Sequence, residues 1–325
     1  MKYIYRMKAI KLFTMAALAT TVFASCSNDE DLVQSSYPAD NVVRVTTSVK
    51  DINTRAFHST NTLDEFAFCI VNPQSTKFSY DNVKVTKEAS TWTPASQMLW
   101  QNASQPVDII AYAPYQSISK YEKMSNATNY PVYVKVQQEA DTYESDFLVY
   151  KKKGFVPETD LKNGAVDITF THALSLLNIN IEFGNEFSKT TPLTSNPINN
   201  ITVGGSVDRG YADFTKNVIS VTADAAREPV LITPVIGIFN AAANNDAHAT
   251  VNYSAILIPQ TIAQGFRVEF EMDGKIYVWT ASESVTLESG KKHQLNLTVG
   301  KDVVKSGYIS SEPWTEGTGG TLETE

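Results

Sequence analysis

The sequence predicts an all-β protein built from two β-sandwich domains. Short runs rich in β-branched and aromatic residues, several of them alternating, succeed one another from Val42 to Val299. Turn-forming pairs such as Gly204-Gly205, Asp273-Gly274 and Ser289-Gly290 separate them. No long stretch repeats its apolar residues at helical spacing, and Asp224–Arg227 and Ile238–Ala243 read as single turns. With 325 residues, 42% of them hydrophobic and 19% charged, the chain can fill ordinary cores. At about 150 residues per domain it holds two of them.

Residues 1–25 are an address rather than a fold. Lys2, Arg6, Lys8 and Lys11 form a basic start, Leu12–Val22 an apolar stretch too short to span a bilayer, and Ala24-Ser25 a small-residue end. This is a secretory signal. It runs into Phe23-Ala24-Ser25-Cys26, which resembles a bacterial lipobox whose cysteine is acylated and becomes the new N-terminus. Phe23 stands where aliphatic residues are usual. Ser27–Asp31 follows as a short acidic tether without hydrophobic periodicity.

The first strand is expected over Val42–Val49. A polar loop, Lys50–Ala56, separates it from the next strand, near Asp64. A trypsin-like cut after Arg55 would therefore release one complete strand and uncover a groove edged by unpaired backbone groups. Spacing alone favours an ordinary loop arginine over a cleavage site. Further strands are expected at Asp64–Val71, Val107–Ala113, Val132–Val136, Phe147–Tyr150, Val166–Phe170 and Leu176–Phe183. Those of the second half are Val230–Ile236, Thr250–Ile258, Phe266–Met272, Lys275–Ala281 and His293–Val299. The polar stretch Asn185–Asn200, with Pro192 and Pro197, reads as the connection between sandwiches, so the domains are expected at 56–184 and 185–302.

Formal charge is −8, and because the leader carries four bases and no acid, the chain from Cys26 onward stands at −12. That balance opposes nucleic-acid binding, and the one basic run, Lys151–Lys153, reads as a solvated turn. Two cysteines, Cys26 and Cys69, supply neither a disulfide framework nor a metal-ligand spacing; Cys69, within Phe66–Val71, reads as a small buried hydrophobe. His58, His172, His248 and His293 lie far apart and show no ligand spacing, so each reads as structural. There is no Gly-x-Ser-x-Gly elbow, phosphate loop or dinucleotide fingerprint. No catalytic residue, metal or cofactor is assigned, although paired glycosidase carboxylates would leave no short motif. Tyr112, Tyr115, Tyr121, Tyr130 and Tyr133 cluster in sequence and invite a second reading, a lipid-anchored carbohydrate-binding protein that stacks sugars on exposed rings; filling a sandwich core is the plainer use of such residues.

Several segments together carry a resemblance. They are the lipobox at Cys26, Asn53-Thr54-Arg55-Ala56 after the first strand, Asp108–Tyr115, Thr171-His172-Ala173-Leu174, Leu257-Ile258-Pro259-Gln260 and Trp314-Thr315-Glu316-Gly317. In this order and spacing the chain resembles the fimbrillins and fimbrillin-like lipoproteins that assemble fimbriae on Gram-negative oral and gut anaerobes. The resemblance implies two transthyretin-like β-sandwich domains with Greek-key connectivity and export as an outer-membrane lipoprotein at the cell surface. It also implies cleavage between Arg55 and Ala56 by an arginine-specific protease, and assembly with other fimbrial subunits by donor-strand exchange. The lipidated segment 26–55 would leave with the first strand. In the C-terminal segment 303–325, Val303, Val304, Tyr308 and Ile309 are the candidate donor strand, interrupted by Pro313, Gly317, Gly319 and Gly320. An acceptor with a poor donor strand points to a tip or minor subunit rather than the stalk. Surface ligands on a host or another bacterium are the further partners expected, and the protein is not read as an enzyme.

Overall fold

The aromatic and aliphatic run Phe66–Val71 has no polar side, and the reason is its place between two layers. The computed structural model describes residues 36–50, 58–117, 123–140, 143–187, 192–242, 248–301 and 303–314. Strands of the first half are β1 (Val45–Val49), β2 (Glu65–Val71), β3 (Tyr80–Glu88), β4 (Thr91–Pro94), β5 (Val107–Ala113), β6 (Tyr130–Tyr133), β7 (Leu148–Phe155), β8 (Val166–His172) and β9 (Ser175–Phe183). Then come β10 (Ile198–Ser206), β11 (Arg209–Ala212), β12 (Val221–Ala223), β13 (Val230–Ile232), β14 (Val235–Asn240), β15 (Thr250–Leu257) and β16 (Gln260–Ile262). The last are β17 (Arg267–Met272), β18 (Lys275–Thr280), β19 (Val285–Leu287), β20 (Lys291–Val299) and β21 (Val304–Pro313). Among the described residues the one α-helix is a single turn, Pro157–Asp160, and no helix is long and apolar enough to cross a membrane.

A seven-stranded sheet in the order β1-β8-β7-β5-β2-β3-β4 divides two hydrophobic cores. On β2, Phe66, Phe68 and Ile70 enter one core while Ala67 and Cys69 enter the other. On β5, Ile109 and Ala111 alternate in the same way with Ile110 and Tyr112. Strands covered on both faces read as continuous apolar runs, which is what these two sequences are. Burial also pushes the Cys69 thiol far above its usual range and leaves it the small hydrophobe expected of it.

Three more sheets enclose the second core, in the orders β14-β15-β9-β20-β21, β13-β10-β17-β18 and β12-β11-β6, beside the pair β16-β19. The changeover between cores does not fall at Gly184. Strand β9, ahead of it, pairs with β15 and β20, and β6 pairs with β11, so three strand pairings cross the expected domain boundary.

Asp273 and Gly274 both have positive φ, 51° and 73°, the geometry of the tight hairpin joining β17 to β18. Ile238–Asn240, expected in a single turn, belongs to β14, whereas Asp224–Arg227 does close a turn, with the Arg227 N–H donating to the Asp224 carbonyl at 3.0 Å. Lys151–Lys153 lies inside β7 rather than in a turn. There Lys151 leans on the Phe214 carbonyl, and a bulge at Gly154, φ 61°, realigns the strand on β5.

Candidate functional site

The segment that the sequence marks as removable is an edge strand. β1 pairs in parallel with β8, Val45 opposite Val166 through Val49 opposite Phe170, and is the outermost strand of its sheet. Just before it, the Val43 N–H donates to the Met98 carbonyl at 2.9 Å and the Trp100 N–H to the Asn41 carbonyl at 2.8 Å. Val43, Val45 and Val49 are buried, in the core that holds Phe66, Phe68, Met98, Trp100 and Phe170. Full burial of a valine contributes about 1.5–2 kcal/mol, so the three together hold this segment with roughly 5 kcal/mol before entropy is counted. The opposite face of β1 is polar, with Ser48 Oγ donating to Thr169 Oγ1 at 3.3 Å.

Cys26, Arg55 and Ala56, the expected lipidation and processing positions, lie outside the described residues. The described chain resumes at His58, which is buried and anchored, its N–H donating to Asp146 Oδ2 at 2.9 Å. The other oxygen, Oδ1, meets Nδ1 of His172 at 3.0 Å, and both side chains are almost wholly enclosed. His172 ends β8, the strand on which β1 lies. Burial lowers the pKa of His58.

The expected donor residues Val303, Val304, Tyr308 and Ile309 fall in or beside β21, which pairs antiparallel with β20 from Val304 to Pro313. Val303 and Tyr308 are exposed, while Val304 and Ile309 pack on the second core. At Gly307 a Cβ would collide with the Trp279 indole and the Leu297 side chain, so glycine is what lets β21 lie down here. Beyond β21, Trp314 is buried against His172, and its backbone N–H donates to the Gly290 carbonyl at 2.9 Å. Asp146 and His172 thus gather the chain leaving the first loop, the strand that holds β1 and the end of β21. No spacing in the sequence ties Asp146 or His172 to Trp314, so Asp146 carries no signal there and His172 reads as a lone structural histidine.

The tyrosine cluster does not form a sugar platform. Tyr112 and Tyr130 are fully buried and pack with Phe147 and Phe214, with Tyr112–Tyr130 centroids 5.2 Å apart. Of the others, Tyr133 is exposed, Tyr115 half-buried, and Tyr121 outside the described residues. Among the described residues no group of three or more His, Cys, Asp and Glu side chains could hold a metal ion.

A family model described as fimbrillin-like matches residues 54–314, most of the chain. The chain belongs to the fimbrillin-like family. Its family is one of fimbrial, adhesive proteins of the cell surface. A putative cell adhesion protein from Bacteroides uniformis shares the fold, at TM-score 0.58 and 20% identity over 86% of this chain and 100% of its own. One from Bacteroides ovatus is similar at TM-score 0.57 and 13% identity, over 85% of this chain and 98% of its own. No curated protein sequence matches the chain.

Proposed function

We propose that this fimbrillin-like protein is a fimbrial subunit exported as a lipoprotein acylated at Cys26 and activated by an arginine-specific cut between Arg55 and Ala56. The cut frees segment 26–55, and with it β1. A strand from a neighbouring subunit then takes the place of β1 beside β8. The observation that carries this reading is the one-sided pairing of β1: among the described residues an edge strand joined to β8 alone, with its Val45 and Val49, and Val43 just before it, in the core. Its loss would leave the N–H and C=O groups of β8 unpaired above Phe66, Phe68 and Phe170, a template that an incoming apolar strand satisfies.

The donor side favours a tip or minor subunit over the stalk. The candidate donor residues Val303, Val304, Tyr308 and Ile309 belong to a segment paired along β20, seated under Trp279 at Gly307 and followed by the buried Trp314. Releasing it for a neighbour would forfeit all of these contacts. The rival reading, a lipid-anchored carbohydrate-binding protein using the Tyr112–Tyr133 cluster, loses its platform because Tyr112 and Tyr130 are core residues.

Intact mass and N-terminal sequencing of the protein from its native cell surface test the proposal. The expected start is Ala56; an acylated Cys26 retained on all of the protein would overturn cleavage. Arg55→Ala is expected to leave the protein folded and membrane-bound but absent from filaments.

A further inference from the structure

The outward face of the sheet formed by β14, β15, β9, β20 and β21 carries a groove of about 540 Å³ whose floor is a set of uncharged hydrogen-bonding side chains. Two cross-strand rows make it, both in register: Ser254, Asn178 and Gln294, and next to them Asn252, Asn180 and Asn296. Ser254 Oγ donates to Asn178 Oδ1 at 2.9 Å and Asn180 Nδ2 to Asn296 Oδ1 at 3.4 Å. The side chains of Asn252 and Gln294, and the amide nitrogens of Asn178 and Asn296, have no hydrogen-bond partner among the described residues. Five amides therefore face the groove with donors and acceptors to spare.

One flank is apolar and an aromatic ring stands at the other. Ile236 and Ile238 on β14 are 50% and 60% exposed and form one wall, where a bulge between Ile236 and Phe239 reshapes the strand. Gly237 permits the approach, since a Cβ there would stand 2.9 Å from the Asn252 carbonyl oxygen. Across the sheet, Tyr308 on β21 sits opposite Asn296, on the same face, and is 65% exposed. From β14 to β21 are four strand spacings, or about 19 Å.

Among the described residues no Asp, Glu, Lys, Arg or His lines the groove, in a chain with 27 basic and 35 acidic residues. An ionic ligand would find no counter-charge there, whereas a neutral one loses nothing by its absence. Each amide offers a donor and an acceptor side by side, the pair that two neighbouring hydroxyls on a sugar ring require. Exposed aliphatic and aromatic walls suit the C–H faces of the same rings.

We propose that this groove binds a neutral oligosaccharide laid across the sheet from Ile238 to Tyr308. Binding goes beyond the fimbrial reading and needs neither cleavage nor strand exchange, so the uncut protein has it too.

Isothermal titration of the uncut protein against neutral gluco-, galacto-, manno-, xylo- and N-acetylhexosamine oligosaccharides tests the proposal. At least one series is expected to bind. Asn180→Ala with Asn296→Ala is expected to weaken it by about tenfold or more, the loss of one to two hydrogen bonds. Tyr308→Ala should weaken it severalfold, and Thr222→Ala, on the exposed face of β12, should change nothing. Gln294→Leu keeps the side chain's bulk and serves as a second test should the double variant fail to fold. Failure of every series to bind, or affinity untouched by the amide replacements, overturns the proposal.

Discussion

His172 and Trp314 stack face to face, ring centroids 3.8 Å apart and planes 5° from parallel. One residue ends the strand that holds β1 and the other follows the last strand of the described chain, so a single contact ties the two regions that strand exchange concerns. Trp314→Ala leaves a cavity over His172 and exposes the Asp146 pair to water. Such truncations cost about 3–5 kcal/mol. Urea denaturation should show a loss in that range, and hydrogen exchange should show β21 opening more readily than β20. An unchanged midpoint would mean that the stack contributes nothing to holding the C-terminal strand.

Gly307 fixes β21 by absence. With Trp279 and Leu297 occupying the space where a Cβ would go, Gly307→Val cannot be absorbed by rotating one flexible side chain. Overpacking costs about 1–3 kcal/mol, and the cheapest relief is to lift β21 while β9, β15 and β20 keep their pairing. The expected outcome is protease cleavage within 304–313 and a retained β-sheet signal in far-UV circular dichroism. Resistance of that segment equal to the parent would contradict the packing argument.

What the sequence made legible follows from which forces act locally. The two-faced apolar runs of β2 and β5 and the turn at Asp273-Gly274 are written in consecutive residues, and their positions hold to within a residue or two. Strands β3 and β4 are not legible because they are the last two of their sheet, where half-exposed residues such as Lys84 and Thr86 blur alternation. Strand β10 begins inside the polar stretch that reads as a linker, because its N-terminal residues Asn199 and Asn200 face solvent while Ile198 and Ile201 turn inward. The crossing of β6 and β9 into the second core is a matter of long-range pairing, and nothing local encodes it. At the candidate site, β1 was readable as a strand, but the meeting of His58, Asp146, His172 and Trp314 joins four distant segments and leaves no spacing to find.

Acid should weaken the fold through two histidines. Burial pushes His58 and His293 below the ordinary histidine value of about 6.5. His293 Nε2 also accepts the Glu288 N–H at 3.1 Å, a bond that a protonated ring cannot make. Between the unfolded value and the lowered folded ones, the unfolded chain binds more protons, so stability falls as pH drops through about 6.5. Each group contributes at most about 1.4 kcal/mol per pH unit. Asp81, raised by burial, acts in the opposite sense, but only between about 3.9 and its folded value. Urea midpoints at pH 7.5 and 5.5 should therefore differ, and His58→Gln with His293→Gln should flatten the profile. A parent profile flat over that range would count against the argument.

The hold of the β1 segment on the protein rests on Val43, Val45 and Val49 and on its backbone pairing with β8, and both can be supplied in trans. A chain beginning at Ala56 lacks roughly 5 kcal/mol of apolar burial from Val43, Val45 and Val49. It should melt well below the uncut protein and bind a dye specific for exposed apolar surface. A synthetic peptide of residues 41–50 should restore both properties, because it carries the three valines and the backbone groups that meet Met98, Val166 and Phe170. The same peptide with Val45→Asp and Val49→Asp should not, since it would bring unpaired carboxylates into the core. Rescue by the aspartate peptide would mean that the slot beside β8 selects backbone alone, and a donor strand would then need no apolar alternation to fill it.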